Sequence, residues 1–166
     1  MSTATDASPA TASALAGKYL TVLIGRESYG IAVTKVREII RLQPVTTVPQ
    51  MPACIKGVIN LRGRIVPVLD LRLKLHTAEV VNTERTCIVV TRVALASGAD
   101  RPMGLIVDGV EEVANLTAAD IAEKPDFGTT ADTSHILGMA HVKGVVKTLL
   151  DLDRVAGADQ LASLAA

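Results

Sequence analysis

The chain repeats itself, and a repeat restricts the possible folds more than any single element does. Gly30-Ile31-Ala32-Val33-Thr34-Lys35-Val36-Arg37-Glu38-Ile39 matches Gly104-Leu105-Ile106-Val107-Asp108-Gly109-Val110-Glu111-Glu112-Val113, with the shared pattern G-[IL]-x-V-x-x-V-x-E-[IV]. Farther along, Gly57, Arg62, Gly63, Asp70 and Leu71 match Gly138, Lys143, Gly144, Asp151 and Leu152 at identical spacing, G-x4-[RK]-G-x6-D-L. Aliphatic matches are cheap in a chain that is 49% hydrophobic. Gly, Glu and an Asp-Leu pair returning in the same order are not, and they point to a duplication.

The duplication also decides a local ambiguity. "VTKVREIIRL" alone reads as an amphipathic helix, with Val33, Val36, Ile39 and Ile40 on one side. Its counterpart "GLIVDGVEEVANL" reads instead as two apolar runs joined by an Asp108-Gly109 hairpin turn. Equivalence of the halves therefore predicts a strand from Val36 to Arg41 after a tight Thr34-Lys35 turn. Alternation along that strand puts Val36 and Glu38 on one face, whereas a helix would separate them by about 200°. Each half then offers about five strands, near 19–24, 29–33, 36–41, 57–61 and 65–69, and near 86–93, 103–107, 110–114, 136–142 and 145–150.

Many short strands with Gly-centred turns predict an all-β chain of two small barrels rather than a βαβ sheet. The expected organisation is a lead at 1–16, a first barrel at about 17–80, a second at about 84–155 and a tail at 156–166. The segment from His76 to Glu84 is the linker, and "ASGADRP" is an exposed loop. Asp70 and Asp151 are candidate N-caps of a short helix closing each half. Pro67 cannot donate to a ladder and predicts an edge strand or bulge. Thr117 with Asp120 predicts a capped helical turn stopped by Pro125.

Composition excludes several function classes. One Phe, two Tyr and no Trp leave an aliphatic core and no base-stacking platform. Seventeen basic residues balance 17 acidic ones, so no basic face for nucleic acid is indicated. Cys54 and Cys87 lack CxxC spacing and read as free thiols in a reducing cytoplasm, a disulfide being left open. No run reaches the roughly 18 to 20 apolar residues of a membrane span. "MSTATDASPATASALAG" is not a secretory signal. A soluble, cytoplasmic protein is expected.

Catalytic clusters are missing from the sequence. His135 and His141 are six apart, which is not a zinc spacing, and neither a phosphate loop nor a G-x-S-x-G motif occurs. Glu111 and Glu112 are adjacent, so in a strand they point to opposite faces and share no proton. No enzyme, metal or cofactor is expected; the reading is of a protein that binds.

"GRESYGIAV…VREI", "IKGVINLRGRIVPVLDLRLKL" and "VDGVEEV" closely resemble the CheW family, the adaptors of bacterial chemotaxis, over about Lys18 to Val155. The resemblance implies two SH3-like five-stranded β-barrels with short closing helices. It also implies a non-catalytic scaffold between the cytoplasmic tip of a chemoreceptor and the regulatory domain of a CheA-type histidine kinase, recruited to membrane-associated receptor arrays. With only the short tail "LDRVAGADQLASLAA" after the second barrel, a stand-alone adaptor is expected.

Carried over by position, the receptor surface is Val36, Glu38, Gly57, Arg62 and Gly63. The kinase contacts are Val33 and Val45, with Asp126 and Phe127 in "IAEKPDF". Ala122 stands where the family has arginine, so either Lys124 compensates or that second contact is weakened. Alternatives remain at several of these positions. Glu38 and Arg62 are otherwise solvated, or paired in a weak salt bridge; Val33 and Val45 are equally core residues; Phe127 equally plugs a barrel end. Arg62 reads as the contact at the "LRGR" tip and Arg64 as the bystander. The pathway stays open between flagellar chemotaxis and surface motility or another chemosensory system. A ligand- or nucleic-acid-binding barrel, or an enzyme site between barrels, would need features not found.

Overall fold

The computed structural model describes residues 14–75, 80–94, 98–122 and 135–156. The strands are β1 (Gly17–Ile24), β2 (Glu27–Ala32), β3 (Val36–Arg41), β4 (Ile55–Leu61), β5 (Arg64–Asp70), β6 (Cys87–Ala94), β7 (Asp100–Val107), β8 (Gly109–Leu116), β9 (Ile121–Ala122), β10 (Ile136–Val142) and β11 (Val145–Leu150). Two short helices, α1 (Leu71–Lys74) and α2 (Leu152–Ala156), follow β5 and β11. The Asp70 carboxylate accepts the Arg72 N–H at 3.0 Å and Asp151 accepts that of Arg154 at 3.4 Å, so both aspartates cap as expected.

All-β architecture with two subdomains is observed, but the barrels are not the two halves of the chain. One sheet runs β3-β6-β7-β5-β4 and the other β8-β1-β2-β11-β10-β9. In repeat terms both follow one order, and each copy lends its first hairpin to the other's sheet. The boundary expected near residue 80 therefore divides neither sheet from the other.

The Asp108-Gly109 hairpin is corrected for the same reason. β7 and β8 do not pair with each other; the chain bends at Asp108 and passes between sheets. Val33–Lys35 forms a 3-10 turn that makes the same crossing from β2 to β3. Pro67 also departs from expectation, since β5 lies between β7 and β4. The parallel ladder to β7 begins only at Val68. Counted from the two-residue turn, Pro67 opposite Val58 falls at a non-hydrogen-bonded position toward β4. Asp100–Pro102, expected in a loop, opens β7.

Three apolar clusters follow from this exchange. Ile59, Val66, Val68, Ile88, Val90 and Ile106 fill the β3–β7 barrel, with Ile40 and Leu61 from its two edge strands closing it. Tyr19, Ala114, Leu116, Ala140, Val142 and Leu149 fill the other. Between them lies the largest cluster, where Leu20, Val22 and Ile31 of one sheet meet Leu69, Val89, Met103 and Leu105 of its neighbour.

A buried cation ties the crossing points together. Arg72 is 2% exposed and donates from Nε and Nη2 to the two Asp70 oxygens, each at 2.9 Å. Its Nη1 reaches Asp108 Oδ1 at 3.2 Å, and Nη2 reaches Asn82 Oδ1 at 2.9 Å. Asp108 Oδ2 in turn accepts the Gly25 N–H at 2.6 Å. Burial works against the charged guanidinium, yet Asp70 and Asp108 outweigh it and raise its pKa. One side chain thus joins the end of β5, the β7–β8 crossing and, through Asp108, the β1–β2 turn.

Candidate functional site

The β4–β5 turn presents its arginine by an uncommon backbone conformation. Arg62 and Gly63 have φ of 52° and 85°, both left-handed, as a two-residue type I′ hairpin requires. Glycine adopts this freely and arginine does not. Asn60 Oδ1 steadies the turn by accepting the Gly63 N–H at 2.8 Å.

From that turn Arg62 reaches Glu38 on β3. Its Nη1 donates to Oε1 at 3.2 Å and its Nη2 to Oε2, so the guanidinium forks onto the carboxylate. The side chains are 69% and 30% exposed. An ion pair this wet contributes about 0–1 kcal/mol, so a partner can displace it at little cost.

A cleft of about 130 Å³ adjoins the pair. Arg37, Glu38, Arg62 and Arg64 line it, with half-buried Leu61 and Pro102 as its accessible apolar lining and the core residues Val66 and Val90 behind them. Arg37 is there because β3 carries a bulge: Val36 faces Thr91 and Glu38 faces Val90, leaving Arg37 as the extra, exposed residue. Arg64, expected as a bystander, lines the same cleft. Among the described residues neither Arg37 nor Arg64 has a carboxylate in ion-pair range.

The second copy builds the same scaffold with different charges. Lys143 and Gly144 repeat the left-handed turn at φ 51° and 80°, and Lys143 Nζ meets Glu112 Oε1 at 3.0 Å. Glu111 replaces Arg37, Val145 replaces Arg64, and Lys147, only 7% exposed, replaces Val66. Lys147 Nζ donates to Glu111 Oε1 at 3.2 Å, and Ser28 Oγ donates to the same oxygen at 2.8 Å. A wider cleft of about 380 Å³ borders the Lys143–Glu112 pair, lined among others by Asp120 and His141. The Thr117 backbone N–H and hydroxyl, both on Asp120 in a reciprocal capping box, hold the Asp120 carboxyl below its usual range.

Of the receptor residues expected from sequence, Glu38, Arg62 and Gly63 come together at this tip. Val36 is half-buried and packs on the shared core. Gly57 is buried at φ 143°, where a Cβ would overlap the Thr46 carbonyl, so the close backbone approach it permits is made by its own chain. Val33 sits half-buried in the 3-10 turn, and Val45 packs against the β3–β7 barrel core. Asp126, Phe127 and Pro125 lie outside the described residues. The residues missed from sequence are Arg37, Arg64 and Arg72. The mismatch of Arg37 with Glu111, and of Arg72 with Asp153, was the available signal.

Among the described residues no group of three or more His, Cys, Asp or Glu is placed to hold a metal ion. Cys54 and Cys87 are free and half-buried, and burial pushes the Cys87 thiol up. No helix among the described residues is long and apolar enough to cross a membrane.

Residues 18–160 match the family model described as CheW-like domain. The chain is 36% identical over 158 residues to chemotaxis protein CheW of Klebsiella aerogenes, covering 92% of each sequence. It is 30% identical over 121 residues to protein FrzA of Myxococcus xanthus, covering 73% of this chain and 72% of that one. The crystal structure of scaffolding protein TtCheW from Thermoanaerobacter tengcongensis superposes with a TM-score of 0.73 at 28% identity, covering 85% of this chain and 88% of that one.

Proposed function

Because the chain belongs to the CheW family, we propose that it is a non-catalytic cytoplasmic adaptor coupling a chemoreceptor's cytoplasmic tip to a CheA-type histidine kinase. The observation that carries this reading is the Arg62–Glu38 pair, an exposed and weakly held ion pair at the lip of a cleft. Such a pair is poised for exchange: a receptor carboxylate takes over the Arg62 fork, and Glu38 is released to the receptor's own donors. Val36 and Gly63 complete the proposed receptor surface, and Gly57 supports it from beneath by letting β4 close on Thr46. Val33 and Val45, with Asp126 and Phe127, form the proposed kinase contacts. Adaptor interfaces of this sort are small and individually weak, of micromolar order, and gain strength by repetition in an array.

The test is Arg62→Glu. It is expected to leave the melting temperature within a few degrees, because the pair is worth about 0–1 kcal/mol, and to weaken binding of a receptor hairpin fragment by about tenfold or more. Collapse of stability with this substitution makes the arginine structural and overturns its assignment.

A further inference from the structure

Resting on the receptor reading above, we propose that the cleft beside Arg62 selects an acidic segment, and that Arg37 and Arg64 are its specificity-determining residues. Neither residue belongs to the receptor set carried over from the family, and each is placed by a distinct local device. The bulge between Val36 and Glu38 turns Arg37 outward, and the type I′ turn directs Arg64 onto the same cleft.

The second copy supplies an internal comparison, because its five repeated strands share fold and register with the first; it adds the Ala118–Asp120 turn and β9, which bring Asp120 to its cleft. There two ammonium groups face two carboxylates, with Glu111 on Lys147 and Glu112 on Lys143. In the first copy three guanidinium groups face one carboxylate, and that one is taken by Arg62. Among the described residues the other two forks have no carboxylate, and each is able to hold one through paired N–H donors. Val66 keeps an apolar floor where the second copy has buried Lys147. Half-buried Leu61 and Pro102 over that apolar floor, under a basic rim, fit a helical tip with two or more acidic residues flanking an apolar one. Rim charges of this kind act through association rate and salt dependence.

The test uses the full-length protein and a recombinant cytoplasmic hairpin of a chemoreceptor encoded by the same genome. A second version of that hairpin has its exposed Glu and Asp replaced by Gln and Asn. R37Q, R64Q and the double variant are compared with wild type at about 50 mM and about 500 mM salt, where screening lengths differ roughly threefold. The double variant is expected to bind the acidic hairpin about 5- to 20-fold more weakly at low salt, chiefly through slower association. The gap should close at high salt, and the neutralised hairpin should not distinguish the proteins.

Equal binding of the acidic hairpin by wild type and double variant, while Arg62→Glu abolishes it, overturns the acidic selectivity and leaves the receptor reading standing. A loss of equal size toward the kinase regulatory domain also overturns it, since the cations then act as unspecific charge. Failure of the wild-type protein to bind either hairpin overturns the receptor reading itself.

Discussion

Arg62 and Arg72 are ten positions apart, and the same side chain does opposite work at the two. Arg62 is exposed, holds one carboxylate in water and is cheap to detach. Arg72 is buried and meets two carboxylates, an amide oxygen and the Val81 carbonyl. Its charge is tolerated in the interior because its donors are shared among partners from several segments. Removing it leaves Asp70, 1% exposed, without its guanidinium partner. Arg72→Met, close in length but uncharged, is therefore expected to cost about 3–5 kcal/mol, read as a fall in the urea midpoint. Arg62→Met should move that midpoint by less than about 1 kcal/mol in equivalent stability. A small effect at Arg72 would mean that Asp70 and Asp108 are satisfied without it, and that the clamp is dispensable.

Glycines show how elements are joined, and two of them in one hairpin do different jobs. At Gly63 the turn needs a left-handed backbone, but nothing lies within 4 Å of a would-be Cβ. At Gly57 the would-be Cβ runs into the Thr46 backbone, which pairs with Val58 through two hydrogen bonds of 2.8 and 2.9 Å. Gly63→Ala is expected to cost about 1–2 kcal/mol, the left-handed penalty. Gly57→Ala must also push two backbones apart, and should cost more than about 3 kcal/mol while exposing the Val58 amide to hydrogen exchange. Elements bounded by local signals were legible in sequence: the β4–β5 hairpin, the Asp70 and Asp151 caps, and the Thr117–Asp120 turn. Asp108-Gly109 misled because a hairpin signature describes composition, while Gly109 here lacks the left-handed φ a type I′ turn demands. The Arg37 bulge was invisible for a related reason, since register depends on the partner strand and β6 lies about fifty residues away.

At the scale of the whole molecule, duplication hid the pairing it revealed. Equivalent strands carry equivalent patterns, so β1 fits β3 of its own copy as well as β8 of the other by alternation alone. Connection length breaks the tie. β8 and β2 both run antiparallel to β1, and are therefore parallel to each other. Had each copy kept its own hairpin, β8 would lie parallel to β7 across β6, and consecutive parallel strands of one sheet need a crossover of about a dozen residues. Only Asp108 separates them, and only Val33–Lys35 separates β2 from β3. Short links thus force the exchange, and the exchange places the largest apolar cluster between the barrels. The two barrels are then expected to unfold together, as one calorimetric transition whose van't Hoff and calorimetric enthalpies agree. Fragments cut within 76–79 should each remain unfolded, because β1–β2 loses β8 and β11 while β3 and β5 lose β6 and β7. Mixed in equal amounts they should recover native-like β circular dichroism. Two separable transitions, or cooperative unfolding of either fragment alone, would show that each barrel closes without its borrowed hairpin.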